Sequence, residues 1–424
     1  MAQSTTAIII MGTALVLFMI PRIPLSITAL GAMLAMVLFG IVPASAAFAG
    51  FSNSATLLLA GMLIIGRACQ TTGLAEKFGK VICRMAGVDE KKFVMMLFLL
   101  AFALGIFLNG AIVVPLLMTI VDGIVMETKG QISRKHTYFP IGMAATLGNN
   151  MTTIGSSSTI AALAIYYSAG YETVGLFAPM MINLPPFLLV LAYYYFFGYR
   201  WQQKAFDFEE NPLEEPVPAQ GEGKPEKPMW KMAVTGLTLA GVTAALIAGL
   251  DMGVCALIGG AVVIVTGCVG EKEAYRSISW QTIIVVAASI GFSAGFTASG
   301  AGEVVATSIL NVFGRISDSP FMICAVIFCV TNLISNVMSD NAAVAIMVPI
   351  AISLAHEMGI QPIAFVLAAA SGSKDAIGTP LAVSTMTMLQ SAGYRFKDYV
   401  KVAGIVDVMM VIAGCLMMKL LYFM

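Results

Sequence analysis

The sequence predicts an all-α polytopic membrane protein built from two inverted repeats, and three observations support this fold class. The 424 residues are 59% hydrophobic and 11% charged, with a mean hydropathy of +0.90, whereas about a quarter of the residues in soluble domains are charged. A gapless shift of 223 residues aligns Ile154-Gly155 with Ile377-Gly378 and Ser168–Tyr171 with Ser391–Tyr394. Lysine and arginine also concentrate on one side of the membrane in the topology that follows from these repeats.

Apolar runs long enough to cross a bilayer, which takes about 20 residues, occur about ten times. The first run is expected to remain as a span, because the start of the chain lacks the basic region of a cleavable signal peptide. The predicted spans are 5–20, 24–42, 54–69, 138–168, 173–199, 231–250, 252–270, 280–298, 361–390 and 398–423.

Two further apolar stretches carry polar residues at their centres, which predicts re-entrant hairpins with tips inside the membrane. Residues 91–126 are interrupted at Phe107–Ala111, and residues 319–356 are interrupted at Ser335–Asn341. An amphipathic stretch precedes each hairpin, and its apolar positions recur at helical spacing. We expect these stretches, which begin near Thr71 and Ala298, to form interfacial helices.

Two of the predicted spans should be broken helices. The stretch from Ser371 to Pro380 carries a lysine, an aspartate, two glycines and a proline inside a span that is otherwise apolar. Glycine and proline disfavour a regular helix there, and ionisable residues at membrane depth cost roughly 2.5 to 3.5 kcal/mol each. The stretch from Gly148 to Thr159 occupies the corresponding place in the first half. Unwound backbone at this depth indicates a functional site.

The distribution of basic residues sets the orientation. Each half is expected to make five crossings and one hairpin, so the second half is inverted relative to the first. In this topology 20 of the 23 lysines and arginines face one side, which identifies that side as cytoplasmic. We therefore predict extracytoplasmic termini in the cell membrane, a first repeat at 1–200, a flexible cytoplasmic linker at 201–230 and a second repeat at 231–424.

Inverted repeats with discontinuous helices place substrate and ion sites near the midplane of the membrane, so the pattern indicates a secondary transporter. Residues 148–160, GNNMTTIGSSSTI, resemble the Gly-Gly-x-x-Thr-x-Ile-Gly-Thr-Pro-Pro-Asn signature of the divalent anion:sodium symporters, the dicarboxylate/citrate family of the ion transporter superfamily. Residues 371–383, SGSKDAIGTPLAV, resemble its second copy. Ser339–Ile350 is similar to the hairpin motif of that family, although Asp340 and Asn341 stand where the family has Asn-Thr.

The resemblance implies cation-coupled symport of a di- or tricarboxylate such as succinate, by an elevator movement in a homodimer. Na⁺ would be the coupling ion, with no other cofactor, and the partners would be a small organic anion and the lipid bilayer, without nucleic acid. The implied substrate-binding residues are Asn109, Gly110, Thr153, Ser156, Ser157, Ser339, Asp340, Asn341, Thr379 and Pro380. The implied residues for cation binding or coupling are Gly148, Asn150, Thr152, Gly155, Lys374, Asp375 and Gly378.

Three interpretations of the charged residues Asp340, Lys374 and Asp375 remain open from the sequence. They could form a structural ion pair, or a carboxylate could supply an oxygen ligand to the coupling cation. In the third interpretation, the ammonium of Lys374 stands in for a sodium ion or shuttles a proton. Sequence spacing does not choose among the three.

Other functions remain as alternatives to symport. A proton-coupled or exchange carrier, or a cation/proton antiporter of the same superfamily, would use the same carboxylates. An enzyme is not expected, because membrane-embedded catalysis needs a nucleophile with a base or a cluster of metal ligands. The two histidines, His136 and His356, are predicted to be solvated near the ends of spans.

Overall fold

The computed structural model describes residues 2–20, 22–74, 89–127, 132–208, 228–313 and 319–424. Within these ranges all regular structure is helical, which confirms the predicted fold class. The predicted interfacial helix after Thr71 and most of the predicted linker 201–230 lie outside the described residues.

The first half of the described chain contains ten α-helices. In order they are α1 Ala2–Phe18, α2 Leu25–Leu38, α3 Ala44–Phe48, α4 Ser54–Thr72, α5 Glu90–Gly105, α6 Gly110–Glu127, α7 Arg134–Asn149, α8 Ser157–Ser168, α9 Ala178–Tyr193 and α10 Tyr199–Ala205.

The second half adds ten more α-helices in its described ranges. They are α11 Met229–Ile247, α12 Met252–Val265, α13 Glu271–Ser277, α14 Trp280–Ala298, α15 Ala301–Phe313, α16 Pro320–Ser335, α17 Asp340–Glu357, α18 Ile363–Asp375, α19 Ser384–Met388 and α20 Phe396–Tyr422. Helix α15 covers the second stretch that the sequence predicted as amphipathic.

Five helical stretches of the described chain have the length and apolar composition needed to cross a membrane. They are Ala44–Thr72, Ala178–Ala205, Met229–Ile247, Trp280–Ala298 and Phe396–Tyr422. Shorter apolar helices occupy other predicted spans, including Leu25–Leu38 and Met252–Val265.

The helices stop where the sequence carries polar residues, glycine or proline. Residues 106–109 separate α5 from α6, and residues 336–339 separate α16 from α17, so each pair forms two packed helices joined by a short turn. Helix α7 ends at Asn149 and α8 begins at Ser157, whereas α18 ends at Asp375 and α19 begins at Ser384. The depth of these turns in a membrane and the inversion of the second half stay predictions.

The second part of each broken helix packs against the other half of the chain. Helix α8 lies against α14, α17 and α18, and the short α19 lies against α6 and α7. The apolar core also joins the two halves, since Ile160 and Leu163 of α8 lie in one buried cluster with Val344 of α17. Met386 of α19 joins a second cluster with Val113 of α6. The two helix breaks therefore bring residues of both halves together at the centre of the protein.

Two glycines allow the first part of each broken helix to approach its neighbouring helix pair. A Cβ atom on Gly148 of α7 would lie 2.2 Å from the carbonyl oxygen of Phe102 in α5. A Cβ atom on Gly372 of α18 would lie 2.5 Å from the carbonyl oxygen of Phe328 in α16. The obstacle is backbone in both cases, so a side chain there would push the helices apart.

We predict that Gly148→Ala lowers the free energy of unfolding by roughly 1 to 3 kcal/mol, the usual cost of overpacking a core. Gly12→Ala in α1 is the matched control, because nothing lies within 4 Å of the added Cβ. Denaturation of the two purified variants in detergent measures the difference. Equal stability of the two variants would contradict the close packing of α5 and α7.

A carboxylate at the first residue of α5 joins three helices. Glu90 accepts hydrogen bonds from Ser133 N at 3.0 Å and Tyr199 Oη at 2.6 Å, and its Oε1 lies 3.2 Å from Nδ1 of His136. The prediction of a solvated His136 was therefore wrong, because this ring is largely buried beside Glu90. Burial acts to raise the pKa of Glu90, but the bonds from His136, Tyr199 and Ser133 outweigh it and lower the pKa below its ordinary value of 4.5.

This lowered pKa predicts a pH-dependent contribution to stability. A carboxylate with a depressed pKa stabilises the folded state above its ordinary pKa, and the contribution is lost as the pH falls through the lowered value. We expect wild type to have a higher melting temperature than Glu90→Gln at pH 7. We expect the two melting temperatures to converge below about pH 4. Glu357→Gln, at the exposed end of α17, is the control. A gap that persists in acid would refute the assignment.

Candidate functional site

The first helix break is attached to the turn between α5 and α6. Thr152 Oγ1 donates to the carbonyl oxygen of Ile106 at 2.7 Å and accepts from Gly155 N at 3.1 Å. A helix end leaves carbonyl groups without partners, and inside a membrane each such group carries a cost of several kcal/mol. Thr152 thus provides a hydrogen-bond partner for a backbone carbonyl of the turn and for a backbone N–H of the break.

Asn149, the last residue of α7, also forms hydrogen bonds with the turn between α5 and α6. With its amide oriented to satisfy hydrogen bonding, its oxygen accepts from Gly110 N at 2.9 Å. Its nitrogen donates to the carbonyl oxygens of Gly105, Leu108 and Ala145 at 2.8, 3.0 and 3.1 Å. The sequence analysis did not select Asn149, although an asparagine within a predicted break is a signal that could have found it.

Hydroxyl groups surround the beginning of α8. Ser156 and Ser158 are buried and their hydroxyls lie 2.8 Å apart, whereas Ser157 is partly exposed. The buried hydroxyl oxygen of Thr159 has no hydrogen-bond partner. Because the N-terminus of a helix presents free N–H groups and a positive dipole end, this arrangement suits an anion.

The second helix break is attached to the turn between α16 and α17 in a similar manner. Thr379 Oγ1 donates to the carbonyl oxygen of Asn336 at 2.6 Å, as Thr152 does at the first turn. Asp340 N donates to the carbonyl oxygen of Ala382 at 3.0 Å, and Ser335 Oγ donates to that of Ser373 at 2.7 Å. Both breaks are therefore held to the neighbouring helix pair by polar contacts to backbone.

Lys374 and Asp340 form a buried ion pair beside the second break. Lys374 Nζ lies 3.1 Å from Asp340 Oδ2, and the two residues are 5% and 6% exposed. Asp340 is in the first turn of α17 and Lys374 in the last turn of α18, where each charge is favourable to the dipole of its own helix. The other oxygen of Asp340 accepts from N and Nδ2 of Asn341.

Asp375, the residue after Lys374, binds the first break. Its Oδ1 accepts from Nδ2 of Asn150 at 3.0 Å, and its Oδ2 is buried without a hydrogen-bond partner. Asn150 lies just after the end of α7 and Asp375 ends α18. A hydrogen bond between them therefore connects the two broken helices directly.

A carboxylate that the sequence analysis missed, Asp407 of α20, binds the second break. Its Oδ1 accepts from Nδ2 of Asn332 at 2.7 Å, and its Oδ2 accepts from Nδ2 of Asn336 at 2.8 Å and from Gly378 N at 3.2 Å. An aspartate within an apolar span marks a functional position. The i and i+4 spacing of Asn332 and Asn336 places both amides on one face of the helix.

Asn183 of α9 is the third residue that the sequence analysis missed. It is fully buried, and its Nδ2 donates to the carbonyl oxygen of Asn150 at 3.1 Å and to Ser371 Oγ at 3.1 Å. Asn183 and Asp407 both belong to the span that follows a broken helix and both bind back to a break. An amide in the apolar run of α9 was the signal available in the sequence.

The remaining sequence-predicted residues have local partners. Asn109 Oδ1 accepts from Ala111 N and caps α6, and Thr153 N donates to the carbonyl oxygen of Leu176. Pro380 accepts from Thr387 Oγ1 through its carbonyl oxygen. Among the described residues, no hydrogen bond joins the two helix-pair turns directly. Unpartnered buried atoms remain at Asn336 Oδ1 and Ser339 Oγ of the second turn and at Asn341 Oδ1 in the first turn of α17.

The ion pair predicts strongly non-additive substitutions. Lys374→Met leaves the Asp340 charge buried without its partner, which costs roughly 3 to 5 kcal/mol of unfolding free energy. Adding Asp340→Asn removes the orphaned charge, so the double variant should recover most of that loss. Unfolding of wild type, both single variants and the double variant in detergent measures the coupling. Additive losses would mean that the two charges do not interact.

Comparisons with known proteins match this chain to transporters. The family model described as "Citrate transporter" matches residues 15–370, which is more than half of the chain. An uncharacterized transporter of Haemophilus influenzae is 23% identical over 97% of this chain and 90% of its own length. Sodium/sulfate cotransporter 1 of Chlamydomonas reinhardtii is 28% identical over 38% of this chain, but over only 18% of its own length.

Several of these relatives are much longer proteins. An uncharacterized transporter of Synechocystis, 28% identical over 42% of this chain, is matched over only 29% of its own length. The chain therefore spans less than a third of the first curated relatives that it matches.

Two solved structures share the fold at low sequence identity. The YdaH transporter of Alcanivorax borkumensis superimposes with a TM-score of 0.57 at 15% identity, covering 91% of this chain and 88% of that one. MtrF of Neisseria gonorrhoeae gives a TM-score of 0.60 at 13% identity, covering 88% and 82%. With the apolar helices and the extent of the family match, these findings identify a multi-pass membrane protein that belongs to the citrate transporter family.

Proposed function

We propose that this protein is a secondary active transporter that carries a di- or tricarboxylate such as succinate by symport with a cation, with Na⁺ as the coupling ion. The observation that supports the proposal best is the meeting of two broken helices at the centre of the fold. Each break is fastened to a helix pair, and Asn150 bonds to Asp375 between them. Discontinuous helices of this kind bind substrates and ions in secondary transporters.

The anion would bind where hydroxyls and free backbone N–H groups collect. The start of α8 offers Ser156 and Ser157, and the start of α17 offers Ser339 and Asn341. Neutral donors at helix N-termini bind carboxylate and sulfate alike. The family is described by citrate and the algal relative by sulfate, so an oxyanion with two or more negative charges, such as a di- or tricarboxylate, is the substrate class that we propose.

The cation would bind near the carboxylates. Beside the two helix breaks of the described chain, the carboxylates of Asp340, Asp375 and Asp407 are buried with one ammonium, that of Lys374. Buried charge needs a counter-charge or strong hydrogen bonds, so this excess of carboxylates favours coupling to a positive ion. The same excess supports the second candidate, a proton-coupled or exchange carrier or a cation/proton antiporter.

The mechanism and location follow from the proposed class. We propose an elevator movement of the helix pairs and broken helices against the remaining helices in a homodimer. We also propose that the protein lies in the cell membrane with both termini outside and residues 201–230 in the cytoplasm. The exposed apolar faces of α11 and α12, which include Leu237 and Val265, suit contact with lipid or with a second copy.

Uptake into proteoliposomes tests the function. We expect an inward Na⁺ gradient to drive uptake of radiolabelled succinate, with citrate, tartrate and sulfate as competitors. Uptake driven only by a proton gradient would favour the proton-coupled carrier. Failure to take up any of these anions under either gradient would refute anion symport and favour the cation/proton antiporter.

The hydroxyls at the start of α8 give a second test. We expect Ser156→Ala/Ser157→Ala to raise the KM for the transported anion about tenfold or more, because a hydrogen bond to a charged group contributes roughly 1.5 to 3 kcal/mol. Ser168→Ala, at the other end of α8, is the control, since its hydroxyl donates only within the helix to Ile165. An unchanged KM in the double variant would exclude these hydroxyls from the anion site.

A further inference from the structure

The three buried carboxylates beside the helix breaks differ in how many hydrogen bonds they accept. Asp340 has the ammonium of Lys374 at 3.1 Å, together with N and Nδ2 of Asn341. Asp407 accepts from three N–H donors, two of them side-chain amides. Asp375 is 1% exposed and its carboxylate accepts a single hydrogen bond, from Asn150. Among these three, Asp375 accepts the fewest hydrogen bonds, and the neighbouring ammonium of Lys374 is paired with Asp340.

The groups around Asp375 offer further oxygens without partners. Oδ2 of Asp375, Oδ1 of Asn150 and Oδ1 of Asn183 are all buried and accept no hydrogen bond. The three residues belong to one network, because Asn150 Nδ2 donates to Asp375 and Asn183 Nδ2 donates to the carbonyl oxygen of Asn150. Buried polar atoms of folded proteins are normally paired, so three orphaned acceptors in one network require an explanation.

The chemistry of these atoms distinguishes a metal cation from a proton. All three orphaned atoms are oxygens that accept, and the amide nitrogens of Asn150 and Asn183 are already used. A proton on Asp375 would add one donor to a network that lacks several. A hard cation takes several oxygen ligands at once, from carboxylates, amides and carbonyls.

We propose that Asp375, Asn150 and Asn183 bind one Na⁺ ion between the two broken helices. The proposal rests on the proposed function as a cation-coupled transporter and identifies its ion site. It separates the roles of two neighbouring residues, since Lys374 compensates Asp340 while a mobile ion compensates Asp375. The ligands come from both halves of the chain, from the first break, from α9 and from α18, so the complete site exists only when the two breaks are in contact.

Thermal unfolding without any transported anion tests the site directly. The melting temperature of the purified protein in detergent is measured while NaCl replaces choline chloride at constant ionic strength. We expect wild type to show a saturable rise with Na⁺ and Asp375→Asn to lose it. Asp398→Asn is the matched control, because it changes a buried carboxylate at the start of α20 that accepts its hydrogen bond from the nearby Arg395 N, and it should keep the Na⁺ response.

Asn183→Ala provides a second variant that leaves the carboxylate in place. We expect the Na⁺ concentration that gives half of the melting shift to rise tenfold or more in this variant. If Asp375→Asn fails to fold, this variant decides the question, and an unchanged Na⁺ response would refute the proposal. A wild-type melting temperature that responds to pH between 6 and 8 but not to Na⁺ would also refute it and assign a proton to Asp375.

The outcomes separate the ion site from the proposed function. Na⁺-driven anion uptake together with a normal Na⁺ response in Asp375→Asn would remove this site and keep the symporter. A Na⁺ response that is lost in Asp375→Asn, without uptake of any anion, would keep the site and remove anion symport.

Discussion

Buried backbone groups at a helix end must find hydrogen-bond partners within the protein, and the centre of this fold depends on that constraint. An unpaired buried N–H or C=O group costs free energy. A threonine hydroxyl provides such a partner at both turns. Thr152 Oγ1 donates to the carbonyl oxygen of Ile106, and Thr379 Oγ1 donates to that of Asn336. The polar residues of the two breaks first provide hydrogen-bond partners for the backbone at the helix ends. A binding site at the breaks depends on these hydrogen bonds.

The two halves satisfy this constraint with different side chains. In the first half, an amide from the following span reaches the break, where Asn183 binds the carbonyl oxygen of Asn150. In the second half, the carboxylate of Asp407 accepts from Gly378 N and from the amide of Asn336. An amide donor suits a free carbonyl and a carboxylate suits a free N–H. The second half therefore carries more buried negative charge.

That asymmetry in charge bears on the three interpretations left open by the sequence. The contact between Lys374 and Asp340 favours a structural ion pair, because each charge also complements the dipole of its own helix. Asp375, next to Lys374 in sequence, accepts its hydrogen bond from Asn150 instead. Adjacent residues at the end of α18 thus have separate partners and can have separate roles.

Hydropathy and helix-breaking residues determined much of this protein from the sequence alone. The fold class was correct, and the helices stop close to Asn109, Gly155, Ser339 and Gly378, because a long apolar run with glycine, proline or polar residues at its centre cannot remain a regular helix. The candidate polar residues beside those stops follow from the same pattern.

Only the tertiary structure decided which polar groups pair. Asp407 binds a break through Gly378, which precedes it by 29 residues, and Asn150 meets Asp375 across a separation of 225 residues. The choice of partner depends on which helix faces pack together. The periodicity of one helix predicts which of its faces is polar. It does not predict which helix lies opposite, because α8 and α19 each pack against the other half of the chain.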